Sequence, residues 1–429
     1  MLAWLLALQA VTSPAADSLP RVTLREALQR SARLDPSYVA ALGQIDNAQW
    51  ARRNAFAVFI LPAVTIGTIA QRTNPPGFLF TDTLQRVSTT WSAQLIARYD
   101  LFTGGQKFAE LSRSGAALAG AHADELRQRF ETALFTESDY YAVVADVELD
   151  RVARERLQRA QEQLAVARAR VLSGAAVSTD SLNLRLELAR AQVGQIRQAS
   201  ALRVSRLALG RRIGVSGPVD AMPLDTAPAP DLPVTLAAAI SEAAVQGPEY
   251  RLAAANERAA NANYRFELGN YLPRATLTFN ANALDTEFYP NAFTQTSLVL
   301  GISLPIWDNG QRELALSRAR VIKDVARTTR QDMDRAVQHD VTAAYDAYET
   351  ARATAGFARE AVVIARENFR VQQTRYSAGA TTILDLITAQ VALSEAEGAR
   401  VEAEYATRLS LAGLESILGR RLFTDKGTP

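Results

Sequence analysis

Polar and apolar positions along this 429-residue chain fall into two periods, and the order in which those periods occur is repeated once. Thr23 to Phe59 is helical in composition, with a break at Asp35-Pro36, because proline disfavours helix in the residue before it. Leu61-Pro62 ends that segment, and the period changes to two. Ala63 to Thr73 reads as a strand, Asn74-Pro75-Pro76-Gly77 as the start of a loop, and Val87 to Phe102 as a second strand. In that second strand Ser88, Thr90, Ser92, Gln94 and Arg98 oppose Val87, Trp91, Ala93, Leu95 and Tyr99. Gly105 to Ser173 then runs without a proline, which at 1.5 Å per residue is roughly 100 Å of helix. Leu157, Leu164 and Val171 are spaced by seven, the signature of a helix supercoiled against a partner. Gly174 supplies a residue for a left-handed helix end, and Ser178 or Thr179 stands where it can cap a returning helix.

The pattern then starts again. Thr23-Leu24, Pro36 and Tyr38 recur as Thr235-Leu236, Pro248 and Tyr250, and Gly105-Gln106, Tyr140, Gly174-Ala175 and Asp180 recur as Gly310-Gln311, Tyr345, Gly379-Ala380 and Asp385. The second strand pair runs from Leu272-Pro273 to about Asp285 and from Gln295 to Trp307, around a loop with Tyr289-Pro290-Asn291. Thr276, Thr278, Asn280 and Asn282 oppose Leu277, Phe279 and Ala281, while Ser297 and Ser303 oppose Leu298, Leu300, Ile302 and Leu304. Val362, Phe369 and Tyr376 repeat the heptad stripe, and Thr381 or Thr382 can cap the last helix after Ala378-Gly379. The expected organisation is a first repeat over 21–215, with a β-hairpin at 61–102 and a helical hairpin at 105–214. A proline-rich linker spans 216–234. The second repeat covers 235–420, with a β-hairpin at 272–307 and a helical hairpin at 309–419, and a tail follows at 421–429. A period near 210 is too long for a solenoid unit, so the repeats are two copies of one module.

Composition changes the picture in three places. Aromatics are only 7% of the chain, which suits long, closely packed helices more than bulky cores. The 47 basic and 45 acidic residues are interspersed, so no field favours nucleic acid, and the absence of cysteine excludes disulfides and thiolate chemistry. Residues 2 to 11 form an apolar run followed by small and turn-forming residues, which predicts a signal peptide over 1–16 with cleavage after Ala15 or Ala16. No later stretch reaches the roughly 18 to 20 uncharged apolar residues of a spanning helix, so any membrane crossing falls to the strands. Their alternation fits an outer-membrane barrel; a soluble antiparallel sheet with one wet face alternates in the same way.

Catalytic and metal-binding patterns are missing. His122 and His339 stand far apart without a ligand cluster, no phosphate-binding loop, dinucleotide fingerprint or nucleophile elbow is present, and pairs such as Asp124-Glu125 lie among arginines on solvated helix faces. The expectation is a protein that is not an enzyme and carries no cofactor or metal.

Arg375-Tyr376-Ser377-Ala378-Gly379-Ala380-Thr381-Thr382-Ile383-Leu384-Asp385-Leu386, followed by Ala389-Gln390, resembles the hairpin-tip signature of the outer membrane efflux protein family, the TolC-like ducts. The duplication, the strand positions, the linker and the proline step in each opening helix share the resemblance. It implies a mainly α fold with β, in which long antiparallel helical hairpins form a trimeric α-barrel joined to a 12-stranded transmembrane β-barrel. Four strands cannot close a barrel alone, and dimer or trimer would each reach eight; the resemblance implies the homotrimer. Its implied partners are a periplasmic adaptor, an inner-membrane pump and outer membrane lipid, with no nucleic acid. It implies adaptor docking at the tips, Ser173, Gly174 and Ala175 in one repeat and Ala378, Gly379 and Ala380 in the other. It also implies a pore constriction at Asp180 and Asp385, with Tyr376 at a gating position and Thr388 where some members have a second acid. Either aspartate could instead complement a helix N-terminus, and Tyr376 could simply pack on its heptad stripe. The implied function is passive conduction as the outer membrane channel of a tripartite efflux or type I secretion system. The competing reading is a structural coiled-coil envelope protein or a periplasmic adaptor.

Overall fold

Helix starts are set by short polar side chains at the predicted breaks. Thr23 Oγ1 accepts from the Glu26 N–H, and Asp35 Oδ1 accepts from the Ser37 and Tyr38 N–H groups at 2.9 and 3.1 Å, so α1 (Leu24–Leu34) and α2 (Pro36–Ile60) meet at a capped proline step. The computed structural model describes residues 19–80, 84–174, 176–223, 228–291 and 293–423. The predicted signal peptide, Ala175 and residues 424–429 of the tail lie outside these. Before α1 comes β1 (Arg21–Val22). After α2 come β2 (Ala63–Phe80), β3 (Leu84–Thr103), α3 (Gln106–Leu172), α4 (Ser178–Arg212) and β4 (Asp220–Ala221). The second repeat supplies α5 (Leu236–Gln246), α6 (Pro248–Leu268), β5 (Arg274–Asp285), β6 (Phe293–Ser303), α7 (Gln311–Ser377) and α8 (Ile383–Leu418).

The two strand pairs join. They form one antiparallel sheet in the order β2-β3-β5-β6, with β3 of the first repeat hydrogen-bonded to β5 of the second. The strands shift from expectation most at two ends, while β3 and β6 begin a few residues early, at Leu84 and Phe293. Asn74-Pro75-Pro76-Gly77, expected to open a loop, lies inside β2, where the ladder slips between Arg72 and Gly77 and so absorbs two residues with no N–H to donate. β6 ends at Ser303 rather than Trp307, just before Leu304-Pro305.

The linker is held against the helices. Within 216–234, β4 pairs in parallel with β1, the Tyr348 hydroxyl donates to the Pro230 carbonyl at 2.7 Å, and Arg352 Nε donates to the Ala229 carbonyl at 3.1 Å. A two-residue strand has no period, and prolines keep a carbonyl to offer after losing the N–H, so the linker is bound to the helices although its composition reads as extended.

α2 and α4 lie one after the other along α3, and α6 and α8 do the same along α7, while α3 also packs on α6 and α8. The helices therefore run across each chain as α2/α4, α3, α6/α8, α7. In α7 the side chains buried below Val337 are Val341, Tyr348, Ala355, Val362, Phe369 and Tyr376, one every seven residues. That spacing follows from an edge helix held along a single supercoiled seam. In α3 Leu164 is buried, whereas Leu157 and Val171 are half-buried.

Candidate functional site

Register assigns each face of the sheet. Leu95 pairs with Ile66 and Ala281, Phe279 pairs with Ala97 and Leu298, and Leu277 pairs with Tyr99 and Leu300, which places them on one face because directly opposed residues point the same way. The other face brings together Gln94 with Asn282, Arg98 with Thr278, and Asn280 with Ser297. The apolar face is open: Ile66, Leu298 and Ile302 are 76, 67 and 72% exposed. From Ala275 to Ala283 it spans eight residue steps, about 27 Å of strand, which at the usual tilt leaves an apolar band of about 20 Å that Asp285 bounds. Such a band matches a bilayer, with a polar lumen behind it. No helix among the described residues is long and apolar enough to cross a membrane.

At the strand-helix junction Gly104 takes φ +62°, and a Cβ there would stand 2.3 Å from the Gly269 carbonyl oxygen, so the first repeat's turn closes directly on the second repeat's backbone. Gln106 Nε2 continues that joint by donating to Asn270 Oδ1 at 2.9 Å and to the Phe266 carbonyl at 3.2 Å.

At the far ends of the hairpins, Gly174 and Gly379 take φ +77° and +74°, as a tight helical turn requires. The two tips are then built differently. On the second, Thr382 caps α8: the Asp385 N–H donates to Thr382 Oγ1, and Asp385 Oδ2 accepts from the Thr382 N–H, Thr382 Oγ1 and Thr381 Oγ1 at 3.1, 2.7 and 2.8 Å. The threonine hydroxyls and this backbone N–H hold the Asp385 carboxyl below the ordinary carboxylate range. On the first tip, neither Ser178 nor Thr179 caps α4; Val177 occupies the N-cap without a side-chain bond. Asp180 instead accepts from the Tyr376 hydroxyl at 3.4 Å, a contact between repeats. Tyr376 is 5% exposed and also holds its place on the heptad stripe, and burial followed by the Asp180 charge raises its pKa. Thr388 is exposed, and its hydroxyl donates to the Leu384 carbonyl of its own helix. Ser173 likewise donates to the Arg170 carbonyl.

Sequence reasoning missed Arg170. Its guanidinium lies 4.9 Å from the centre of the Tyr376 ring, and Nη1 donates to the Tyr376 carbonyl, so the first hairpin grips the end of α7. Farther up the seam between α3 and α8, Arg159 Nη2 donates to Glu397 Oε2 at 3.2 Å. One turn closer to the tips on α3 and two turns closer on α8, Gln163 and Gln390 are buried with both amide atoms unpartnered.

A sheet with a lipid-height apolar face and a polar back, continuous with helices of about 100 Å, defines an envelope-spanning channel protein. Residues 239–420 match the model of the outer membrane efflux protein family, and the comparisons support an efflux channel of the outer membrane with a periplasmic helical part. Among similar proteins is the pyoverdine export outer membrane protein OpmQ of Pseudomonas putida, 27% identical over 416 residues that cover 91% of this chain and 84% of that one. VceC of Vibrio cholerae has the same fold at a TM-score of 0.77 and 16% identity, covering 93% of this chain and 97% of its own. The CmeC channel of Campylobacter jejuni matches at 0.79 and 15% identity, with 94 and 87% covered. Within the described residues no cluster of His, Asp or Glu is arranged to hold a metal.

Proposed function

We propose that three copies of this chain close one duct, which conducts substrate passively from an inner-membrane pump and periplasmic adaptor to the exterior. The observation that carries this is a pair of open edges running the full length of the molecule. In the sheet, β2 and β6 lack an outer partner, and an edge N–H or C=O left in hydrocarbon costs several kcal/mol. In the helical part, α7 has a second apolar stripe on the side away from its buried one: Phe357, Ile364 and Val371, exposed and spaced by seven. At the opposite edge of the chain α4 exposes Leu182, Leu186, Val193 and Ile196. Edges of this kind are complementary rather than identical, so copies join head to tail and close into a ring. Four strands per chain give twelve in a trimer, the count the family resemblance implies.

In this reading Asp180, Asp385, Tyr376 and Thr388 surround the periplasmic constriction, and Ser173, Gly174, Ala175, Ala378, Gly379 and Ala380 are the turns an adaptor docks on. The Tyr376–Asp180 bond and the Arg170 grip hold the two tips of each chain together and favour the narrow state; adaptor engagement releases them. Native mass measurement in mild detergent tests the assembly, with three chains expected. A stable, soluble monomer would remove the barrel and favour the coiled-coil envelope reading.

A further inference from the structure

The two returning helices are structural equivalents with opposite charge. α4 carries seven arginines against two carboxylates, whereas α8 carries two arginines against six carboxylates. Their packing is matched: Leu164 and Leu184 of one hairpin share a core with Phe369 and Ala389 of the other, each pair offset by the repeat length. Arg190 and Glu395, and Arg197 and Glu402, are likewise 205 apart and exposed in both hairpins, although burial differs elsewhere, as at Glu187 and Ala392. On α8, Asp385, Thr388, Ala392, Glu395, Ala399, Glu402 and Ala406 form one exposed stripe at spacings of three and four, opposite the buried Leu386, Leu393, Glu397 and Val401. A seven-residue repeat keeps such a stripe on one side of a supercoiled hairpin, so Glu395 and Glu402 look the same way as Asp385 over about 25 Å of helix. The α4 equivalents of Glu395 and Glu402 are Arg190 and Arg197. All four side chains are exposed, and none has an ion-pair partner among the described residues. On α4 the buried stripe of Leu184, Glu187 and Ala191 faces α3, and the exposed apolar stripe of Leu182, Leu186 and Val193 lies opposite it, where a neighbouring copy would pack. Arg190 and Arg197 fall between these stripes.

Resting on the duct reading and its lumen-facing Asp385, we propose that Arg190, Arg197, Glu395 and Glu402 line the periplasmic tunnel as alternating cationic and anionic ladders, and that they set its selectivity above the tips. The ladders number two charges of each sign per chain, so they cancel in sum but not locally. α3 packs on both α4 and α8, which touch each other only sparingly, so Arg190 and Arg197 stand on one helix of the wall and Glu395 and Glu402 on another, farther apart than the roughly 8 Å screening length of physiological salt where α3 intervenes. Each ladder therefore acts by itself on nearby groups. A long solute carrying amine and carboxylate groups finds complementary charge on both walls, whereas a polycation or polyanion is drawn to one wall and repelled by the other. The tunnel so built favours amphoteric cargo, and cation preference is confined to the constriction.

The test uses the full-length assembled channel in planar bilayers under a KCl gradient, reading reversal potential. Arg190→Glu with Arg197→Glu should shift it strongly toward cation selectivity. Glu395→Gln with Glu402→Gln should shift it toward anions, and Arg190→Gln with Arg197→Gln should give a smaller cation shift. Asp385→Asn serves as the reference for a pore-lining carboxylate. If Asp385→Asn moves the potential while none of the ladder variants does, the ladders face outward and the proposal falls while the duct stands. If Arg190→Gln with Arg197→Gln dissolves the oligomer in native mass measurement, those arginines belong to the seam between chains, and the proposal falls as well. A wild-type protein that forms no conducting pore would overturn the duct reading itself.

Discussion

Removing the Arg170 guanidinium should loosen the tips while leaving the fold intact. Arg170 contributes a charge-assisted bond to the Tyr376 carbonyl and a cation–π contact at 4.9 Å. Hydrogen bonds to charged groups are worth about 1.5–3 kcal/mol and partly exposed cation–π contacts about 0.5–1. Because Arg170 is only half-buried, the low end applies, about 2 kcal/mol per chain, or roughly a thirtyfold change in the ratio of tied to untied tips. Arg170→Ala should therefore raise single-channel conductance or open probability in planar bilayers without lowering the thermal midpoint by more than a few degrees. Arg170→Lys keeps the charge and loses the planar stack, so it should fall between. Tyr376→Phe removes only a 3.4 Å bond to Asp180, worth about 0.5–1 kcal/mol, and should open the channel less than Arg170→Ala does. Conductance in Arg170→Ala indistinguishable from wild type would refute the grip. An opening no larger than that of Tyr376→Phe would place the restraint on the hydroxyl instead.

Three further outcomes are expected. Arg421 bridges Glu137 and Glu415 at 2.5 and 2.6 Å, and both carboxylates are at most 5% exposed; burial already raises the Glu137 pKa. Arg421→Ala should thus cost about 3–5 kcal/mol, seen as a lowered thermal midpoint that Glu137→Gln in the same chain partly restores. Ile364→Asp on the exposed α7 stripe should abolish the oligomer in native mass measurement while circular dichroism stays helical; a retained oligomer would move the seam elsewhere. The depressed Asp385 pKa means that its capping contribution is fully present above the ordinary carboxylate value near 3.9 and fades as pH falls through the lowered one. Amide exchange in the first turn of α8, corrected for its intrinsic pH dependence, should rise over that acid window, whereas flat protection would remove the carboxylate from the cap.

The sequence by itself determined the periodic features. A seven-residue stripe in the tip-proximal part of each 67-residue helix, glycines where a helix must reverse, and a period-two alternation of about ten residues each have one local geometric solution. So the hairpins, the tips and the two-faced strands were legible before any coordinate. What only the tertiary structure decided were the meetings between segments distant along the chain. The pairing of β3 with β5 makes one sheet of two hairpins, and the binding of the proline-rich linker through Tyr348 and Arg352 depends on carbonyls that carry no pattern. Equivalent residues also diverged: Asp385 turned inward to cap its own helix, while Asp180 reached across to Tyr376. A local cap is available from sequence spacing alone; a contact between repeats depends on which side chains the packed core brings within reach. Arg170 was silent for that reason. Its partner stands 206 residues away, and only the shared core of Leu164, Leu184 and Phe369 brings the two together.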